Sequence, residues 1–341
     1  MNTLELLGAA LGLASLAGIN LYLTVFAAGI AVRFGWVVLP DRLHELSVLG
    51  DTWVIVIAGA FYLLEFFADK IPWVDSLWDS LHTFIRPIGA AFLAILALGD
   101  AHPVVEVLAA LVAGGVALTT HTAKASFRLV ANASPEPFSN IGLSFAGDTV
   151  VLGGLALIGW HPIIALVVSV AALAMIWFFL PRLLRAAMAH IWLAWRKLND
   201  PPPGRELFLA ALKPPGRAVR AVQRAYAGSG TIVWALPCLS GSGPRMPSNF
   251  LGWLICVGEE RRLTFVAGRF LRGELIVEIP MKEGEMRQES RFLSEKISVT
   301  SGSETFSFYL ERGHRVAAEE AIRLLSPLQA KPAVALEVAG G

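Results

Sequence analysis

The sequence predicts an α-helical polytopic membrane bundle of about six spans, built as inverted three-helix repeats, followed by a small, mainly β C-terminal barrel domain with a terminal helix. Three observations carry this reading. Of 341 residues, 55% are hydrophobic and only 16% charged, with a mean hydropathy of +0.60, whereas a soluble domain carries about 25% charged residues. Before residue 200 the apolar residues form long runs, near the roughly 20 that one helix needs to cross hydrocarbon. From Gly230 the runs shorten and alternate. The net charge of +1 hides an asymmetry: only six of the 28 Lys and Arg lie within residues 1–180. Two physically different halves follow. The pattern gives no support for nucleic-acid binding, which needs a basic face on a mostly polar fold.

The expected spans are residues 4–33, 52–69, 84–100, 103–127, 148–160 and 162–181, within a transmembrane domain covering 1–199. The run from Leu4 to Val32 is too long for a signal-peptide core and has no basic leader. Pro103 and Pro162 each stand where a helix begins, because proline's missing N–H costs nothing in the first turn. His102 and His161 are then turn residues. The sixth helix continues past Pro181 as an amphipathic extension, with Arg182, Arg185, Arg196 and Lys197 facing water or phosphates and Trp192 and Trp195 at headgroup level. Pro201, Pro202 and Pro203 stop it and open a basic linker over 200–229. Lying near the bilayer, that linker rests on anionic lipid or is simply solvated.

An internal repeat organises the first half. Leu46, Ser47, Gly50, Asp51 and Thr52 recur 97 residues later as Leu143, Ser144, Gly147, Asp148 and Thr149, with Pro40 matching Pro137 and Gly18 matching Gly115. Three spans per unit, about 5–100 and 103–199, would invert the second copy, an arrangement typical of secondary transporters with interrupted helices around a central site. Asp51 and Asp148 are expected as helix caps. The positive-inside rule places Lys70, Arg86, Lys124, Arg128 and the basic end of the sixth helix in the cytoplasm, and Arg33 and Arg42 outside. This predicts a bacterial inner-membrane protein with its N-terminus and its C-terminal domain both cytoplasmic.

Ionisable side chains at membrane depth are costly, so they mark function or pairing. Here they form two stretches. Glu65 and Asp69 share one face of the second helix; Asp75, Asp79, His82 and Arg86 follow at 4, 3, 4 spacing, one stripe if that stretch is helical. His121, Lys124 and Arg128 make a second stripe, followed by Asn132 and the loop to Asn140. An acidic stripe facing a basic one is either a structural ion-pair network or a site for an ion, a proton or a small anionic group. Asp75, Asp79 and His82 have only a weak metal-ligand spacing, with no second ligand pair, and no metal or cofactor is expected. There is no nucleophile elbow, zinc-protease motif or phosphate loop, and an enzyme is not expected. Asn20, in the middle of the first helix, is expected to hydrogen-bond between helices.

The stretches Glu65–Pro87 and His121–Ser144, in that order, resemble the signature segments of a bacterial membrane family known as domain of unknown function 4126. The resemblance covers roughly residues 5–185 and implies a multi-pass membrane fold. It supplies no substrate or catalytic residue.

The C-terminal half is expected to hold strands at 231–237, 250–257, 262–268, 274–280, 289–293, 296–300 and 304–310 within a domain over 230–328. A helix follows from Arg315 to Leu325, with Val316, Ala317, Ala321, Leu324 and Leu325 on one face, and a disordered tail over 329–341. Seven strands and a terminal helix are similar to a pleckstrin-homology-like barrel. Lys282, Arg287 and Arg291 are too mixed with acids for a lipid-headgroup mouth, which favours protein contact. Cys238 and Cys256 lack metal spacing and are expected buried and reduced. The function read from these features is transport of an ion or small anionic solute, or channel-like passage, with a regulatory cytoplasmic domain. The alternative is a non-transporting scaffold whose C-terminal domain recruits protein or lipid partners.

Overall fold

The computed structural model describes residues 3–37, 39, 41–71, 74–99, 101–131, 137–199, 207–226, 231–258, 262–269, 273–281 and 285–329. The chain divides into two compact units, Met1–Ala187 and Met188–Gly341. The expected tail from residue 330 onward and the linker over 200–206 lie outside the described residues.

The first unit is helical. It contains α1 (Thr3–Arg33), a 3₁₀ segment (Asp41–Gly50), α2 (Thr52–Ala68), α3 (Val74–Leu98), α4 (Pro103–Ala131), α5 (Pro137–Trp160) and most of α6 (Pro162–Leu198). Among the described residues five helices are long and apolar enough to cross a bilayer, or six if the 3₁₀ segment and α2, bent by 70°, count as one span. These helices point to a multi-pass membrane protein. Side-chain placement agrees: Ile163, Val167, Val170, Met175, Trp177 and Phe178 of α6 are exposed, while Arg86 and Arg128 are among the largest fully buried side chains. Apolar out and charged in is what a lipid solvent selects.

The expected crossing over 4–33 is not one straight span. Asn20 has φ −152° and ψ 97°, which breaks α1 in its middle. The two halves fold back toward each other. Glu5, Ala9 and Leu13 line the same cavity, of about 220 Å³, as Ala28, Ala31 and Val32. In a straight helix Glu5 and Val32 would stand roughly 40 Å apart at 1.5 Å per residue. Gly8 abuts Pro162 and Val37 abuts Gly159, so both ends of α1 reach the same α5–α6 corner. The physical reason is local: glycine and asparagine are poor helix formers, and the Asn20 side chain re-caps the chain by accepting from Leu23 N at 3.0 Å.

Two other helix starts differ from expectation. α3 begins at Val74, ten residues before the expected 84, because the charged stripe is itself helical; α5 begins at Pro137 instead of 148. The repeated motif takes two conformations. Asp51 caps α2, accepting from Trp53 N at 2.8 Å, as expected. Asp148 caps nothing and lies in the interior of α5. The two copies occur at opposite ends of α2: Gly50 accepts from Arg33 at the start, and Ser144 meets Asp69 at the finish. The paired glycines also diverge. A Cβ on Gly18 would overlap Thr120 Oγ1 and lie 2.8 Å from Ala117 Cα, whereas Gly115 faces open space.

The second unit holds β1 (Ile232–Ser240), β2 (Leu251–Val257), β3 (Arg262–Arg269), β4 (Gly273–Ile279), β5 (Glu285–Ser290), β6 (Glu295–Ser301), β7 (Glu304–Leu310) and a terminal helix, here α8 (Arg315–Gln329). All strand pairs are antiparallel in the order β4-β3-β2-β1-β7-β6-β5, leaving β4 and β5 as the ends of the sheet. β5 lies four residues earlier than expected. Its sequence is polar apart from buried Met286, as suits an end strand. Phe306, Phe308 and Leu310 share one core with Leu236, Leu254, Phe265, Ile297 and the α8 residues Ala317, Ala321 and Leu325.

The basic segment before β1 is part of this unit. Its helix α7 (Gly216–Ala225) buries Ala218, Ala221 and Val222 against Ala235, Ile255 and Val266, and turns Arg217, Arg220 and Arg224 outward. The end of α6 is docked too, with Trp192 against protein and Trp195 exposed. Trp192 packs near Leu239, Leu293 and Tyr309; Arg196 pairs with Glu311 at 3.1 Å; and Lys197 lies 3.2 Å over the Phe292 ring. Cys238 and Cys256 are buried free thiols, and burial pushes the Cys238 thiol up.

Gly18→Ala should lower stability by about 1–3 kcal/mol through overpacking, read as a lower unfolding temperature in detergent, while Gly115→Ala leaves it unchanged or raised. A maleimide should modify Cys238 only after denaturant unfolds the second unit, since a buried protonated thiol is a poor nucleophile.

Candidate functional site

Breaking a helix frees backbone carbonyls that water would satisfy at a surface and that nothing satisfies in hydrocarbon. At the α1 break these are the carbonyls of Gly18 and Ile19. Arg86 Nη1 donates to Gly18 O at 3.1 Å and Lys124 Nζ to Ile19 O at 2.8 Å. Two cations, buried Arg86 and half-buried Lys124, therefore cap the first half of α1, at the negative end of its dipole. Arg86 is the central residue of α3, twelve from either end.

Those cations require anions. Arg86 Nη2 lies 2.8 Å from Glu65 Oε1 and 3.6 Å from Asp79 Oδ1. Lys124 Nζ lies 3.4 Å from Glu65 Oε1 and 3.8 Å from Asp69 Oδ2. Arg128 grips Asp69 with both terminal nitrogens, Nη1 at 2.6 Å from Oδ1 and Nη2 on Oδ2, and reaches Asp79 Oδ2 at 3.4 Å. Ser144 of α5 adds a contact to Asp69 at 3.4 Å. Three carboxylates from α2 and α3 thus face three cations from α3 and α4. The cluster is formally neutral, and Glu65, Asp69, Asp79, Arg86 and Arg128 are all buried.

Both histidines hydrogen-bond within this frame. Arg86 Nη1 donates to His121 Nδ1 at 2.7 Å, which leaves Nε2 to carry the proton toward Asp79 O at 3.0 Å, with Thr83 Oγ1 at 3.1 Å. His82 Nδ1 faces Trp78 O at 2.7 Å and Nε2 faces Tyr22 Oη at 3.1 Å, so Nδ1 is the protonated nitrogen. Asp75 is buried one turn before Asp79.

The structure thus brings together Glu65, Asp69, Asp79, Arg86, His121, Lys124 and Arg128, with His82 and Asp75 on the same helix face. Asn132 lies outside the described residues, as does the side chain of Asn140 in the first turn of α5. Asn20 makes the expected interhelical bond, donating to Asp148 Oδ1 at 3.1 Å. Tyr62 Oη donates to Asp148 Oδ2 at 3.0 Å. Sequence reasoning missed the break at Asn20, the two carbonyls beside it, and Tyr22, Tyr62, Thr83 and Ser144. The only available signal was Gly18 and Asn20 close together inside an otherwise apolar run. No group of His, Cys, Asp or Glu among the described residues is placed to hold a metal.

Residues 7–182 match the family described as Domain of unknown function (DUF4126). The chain belongs to that family. The match spans both stretches that form the cluster, and ends within α6, before the second unit. No curated protein and no solved structure matches the chain.

Removing one partner of a buried pair strands its counter-charge. Asp69→Asn should therefore destabilise the DUF4126 unit by roughly 3–5 kcal/mol, read as loss of monodisperse protein or a large fall in unfolding temperature. Asp69→Asn combined with Arg128→Gln should recover part of that loss.

Proposed function

We propose that the first unit is a transporter for an ion or small anionic solute, and that the charge cluster is its site. The observation that carries this reading is the α1 break, which lies against charges supplied by Arg86 at the middle of α3 and by the adjoining ends of α2, α3 and α4. Among the described residues Glu65 Oε2, Arg86 Nε and Arg128 Nε are buried with no hydrogen-bond partner, and a polar solute would gain most at such atoms. Discontinuous helices around ionisable residues are the usual construction of transporter sites. The two motif copies at opposite ends of α2 support the inverted-repeat reading for α2 with α5 and α3 with α6.

The folded-back α1 changes the expected orientation of the N-terminus. The Lys70 end of the bundle carries the basic residues, so positive-inside bias makes it cytoplasmic. Glu5 and Arg33 then both face the opposite compartment. The basic end of α6 keeps the C-terminal unit cytoplasmic on the same rule, where its meander of strands and terminal helix support a pleckstrin-homology-like regulatory role.

A scaffold is favoured by one observation, the internal neutrality of the cluster. Proteoliposomes decide between the readings. Full-length protein under an imposed membrane potential should move protons, chloride or phosphate, followed with trapped indicator dyes, and Glu65→Gln and Lys124→Met should each cut flux at least tenfold. Flux unchanged in both variants removes the cluster from transport; no flux in the native protein favours the scaffold.

A further inference from the structure

The six charges of the cluster balance among themselves, and Asp148 stands outside that balance. It is the midpoint of α5, eleven residues after Pro137 and twelve before Trp160, and it is half-buried. Both of its oxygens are held by neutral donors, Oδ1 by Asn20 Nδ2 at 3.1 Å and Oδ2 by Tyr62 Oη at 3.0 Å. The charged groups facing it are Asp69 at the end of α2, Lys70 beyond it, and Lys124 on α4. Lys124 is engaged by Ile19 O, Glu65 and Asp69. Lys70 donates to Phe66 O at 2.9 Å and covers the Phe66 ring. Among the described residues neither cation makes an ion pair with Asp148 within 4 Å; both act on it only from farther away.

We propose that Asp148 is a proton-binding site, and that its occupancy controls the break in α1. An ionised carboxylate at the centre of a membrane helix is costly without a counter-charge, and a proton removes that cost. The site is built to accept one. A proton from solvent bonds to Oδ2, and the Tyr62 hydroxyl turns from donor to acceptor, which a hydroxyl can do and an amide nitrogen cannot. Oδ1, now a neutral carbonyl, still accepts from Asn20, but that bond loses its charge assistance and about half its strength. Asn20 is the break residue, and its Oδ1 caps the returning half of α1. Proton binding therefore loosens the contact that holds the break against α5, beside the carbonyls that Arg86 and Lys124 cap. This deepens the transport reading by naming the proton as coupling ion.

The test has a readout independent of transport. Infrared difference spectra of the full chain in nanodiscs, between neutral and acidic pH, should show, beside the C=O stretch of the exposed carboxyls that titrate in every variant, a separate carboxyl band, shifted by deuterium oxide, that belongs to one protonated group. Asp148→Asn should abolish that band, and Asp51→Asn, altering the exposed cap, should keep it. Tyr62→Phe leaves the carboxyl in place and should raise the band's frequency, because the acid loses its hydrogen-bond acceptor. A band that persists in Asp148→Asn, or is unmoved in Tyr62→Phe, overturns the proposal; the second variant decides if the first does not fold. A band that behaves as expected without solute flux in proteoliposomes removes the transport reading and leaves the proton site standing.

Discussion

A helix cannot be opened inside a hydrocarbon layer unless its freed carbonyls find donors, and this constraint organises the first unit. Gly18 O and Ile19 O have no second turn of helix to pair with, and Arg86 and Lys124 supply the missing bonds. Each cation so placed needs a carboxylate, which brings in Glu65, Asp69 and Asp79; Arg128 completes the balance. Break and charge cluster therefore depend on each other. The close approach that makes the geometry reachable comes from Gly18, where any side chain would strike α4.

A buried network of this kind is a poor source of stability. Desolvating six charges offsets most of their attraction, and apolar residues of similar volume would pack at least as well. What the network supplies is specificity: it allows one register of α1 against α3 and α4, in a setting where apolar contacts discriminate weakly because lipid is as apolar as leucine. That setting also explains why α6 exposes most of its apolar surface. The unusual element is Asp148, held by Asn20 and Tyr62, which ties α5 to the same break.

The second unit obeys the opposite solvent rule. Its core is apolar and continuous from β1 to α8, and of its described carboxylates Glu295 is buried. Three stretches outside the strands complete it. Leu209 enters the core, with its N–H donating to Glu320 at 2.8 Å; α7 covers Ala235 and Ile255; and the end of α6 packs by Leu239. Over the described residues 207–226 a basic composition therefore does not mark a free linker, since the apolar face of α7 is used and its arginines are exposed.

Composition and periodicity alone determined that this chain has an apolar helical half and an alternating β half, that its strands from β1 to β4 and β6 to β7 lie within a few residues of their observed bounds, and that Asp75, Asp79, His82 and Arg86 share one face. These are local properties, set by the repeat of the backbone itself. Family membership was legible as well, in the order of the two polar stretches. The pairing of Arg128 with Asp69, the fold-back of α1 and the removal of Asp148 from a capping role were not. Each depends on which helices meet, and a helix propensity that is merely weak at Gly18 and Asn20 becomes a break only when Arg86 and Lys124 arrive to satisfy the opened carbonyls.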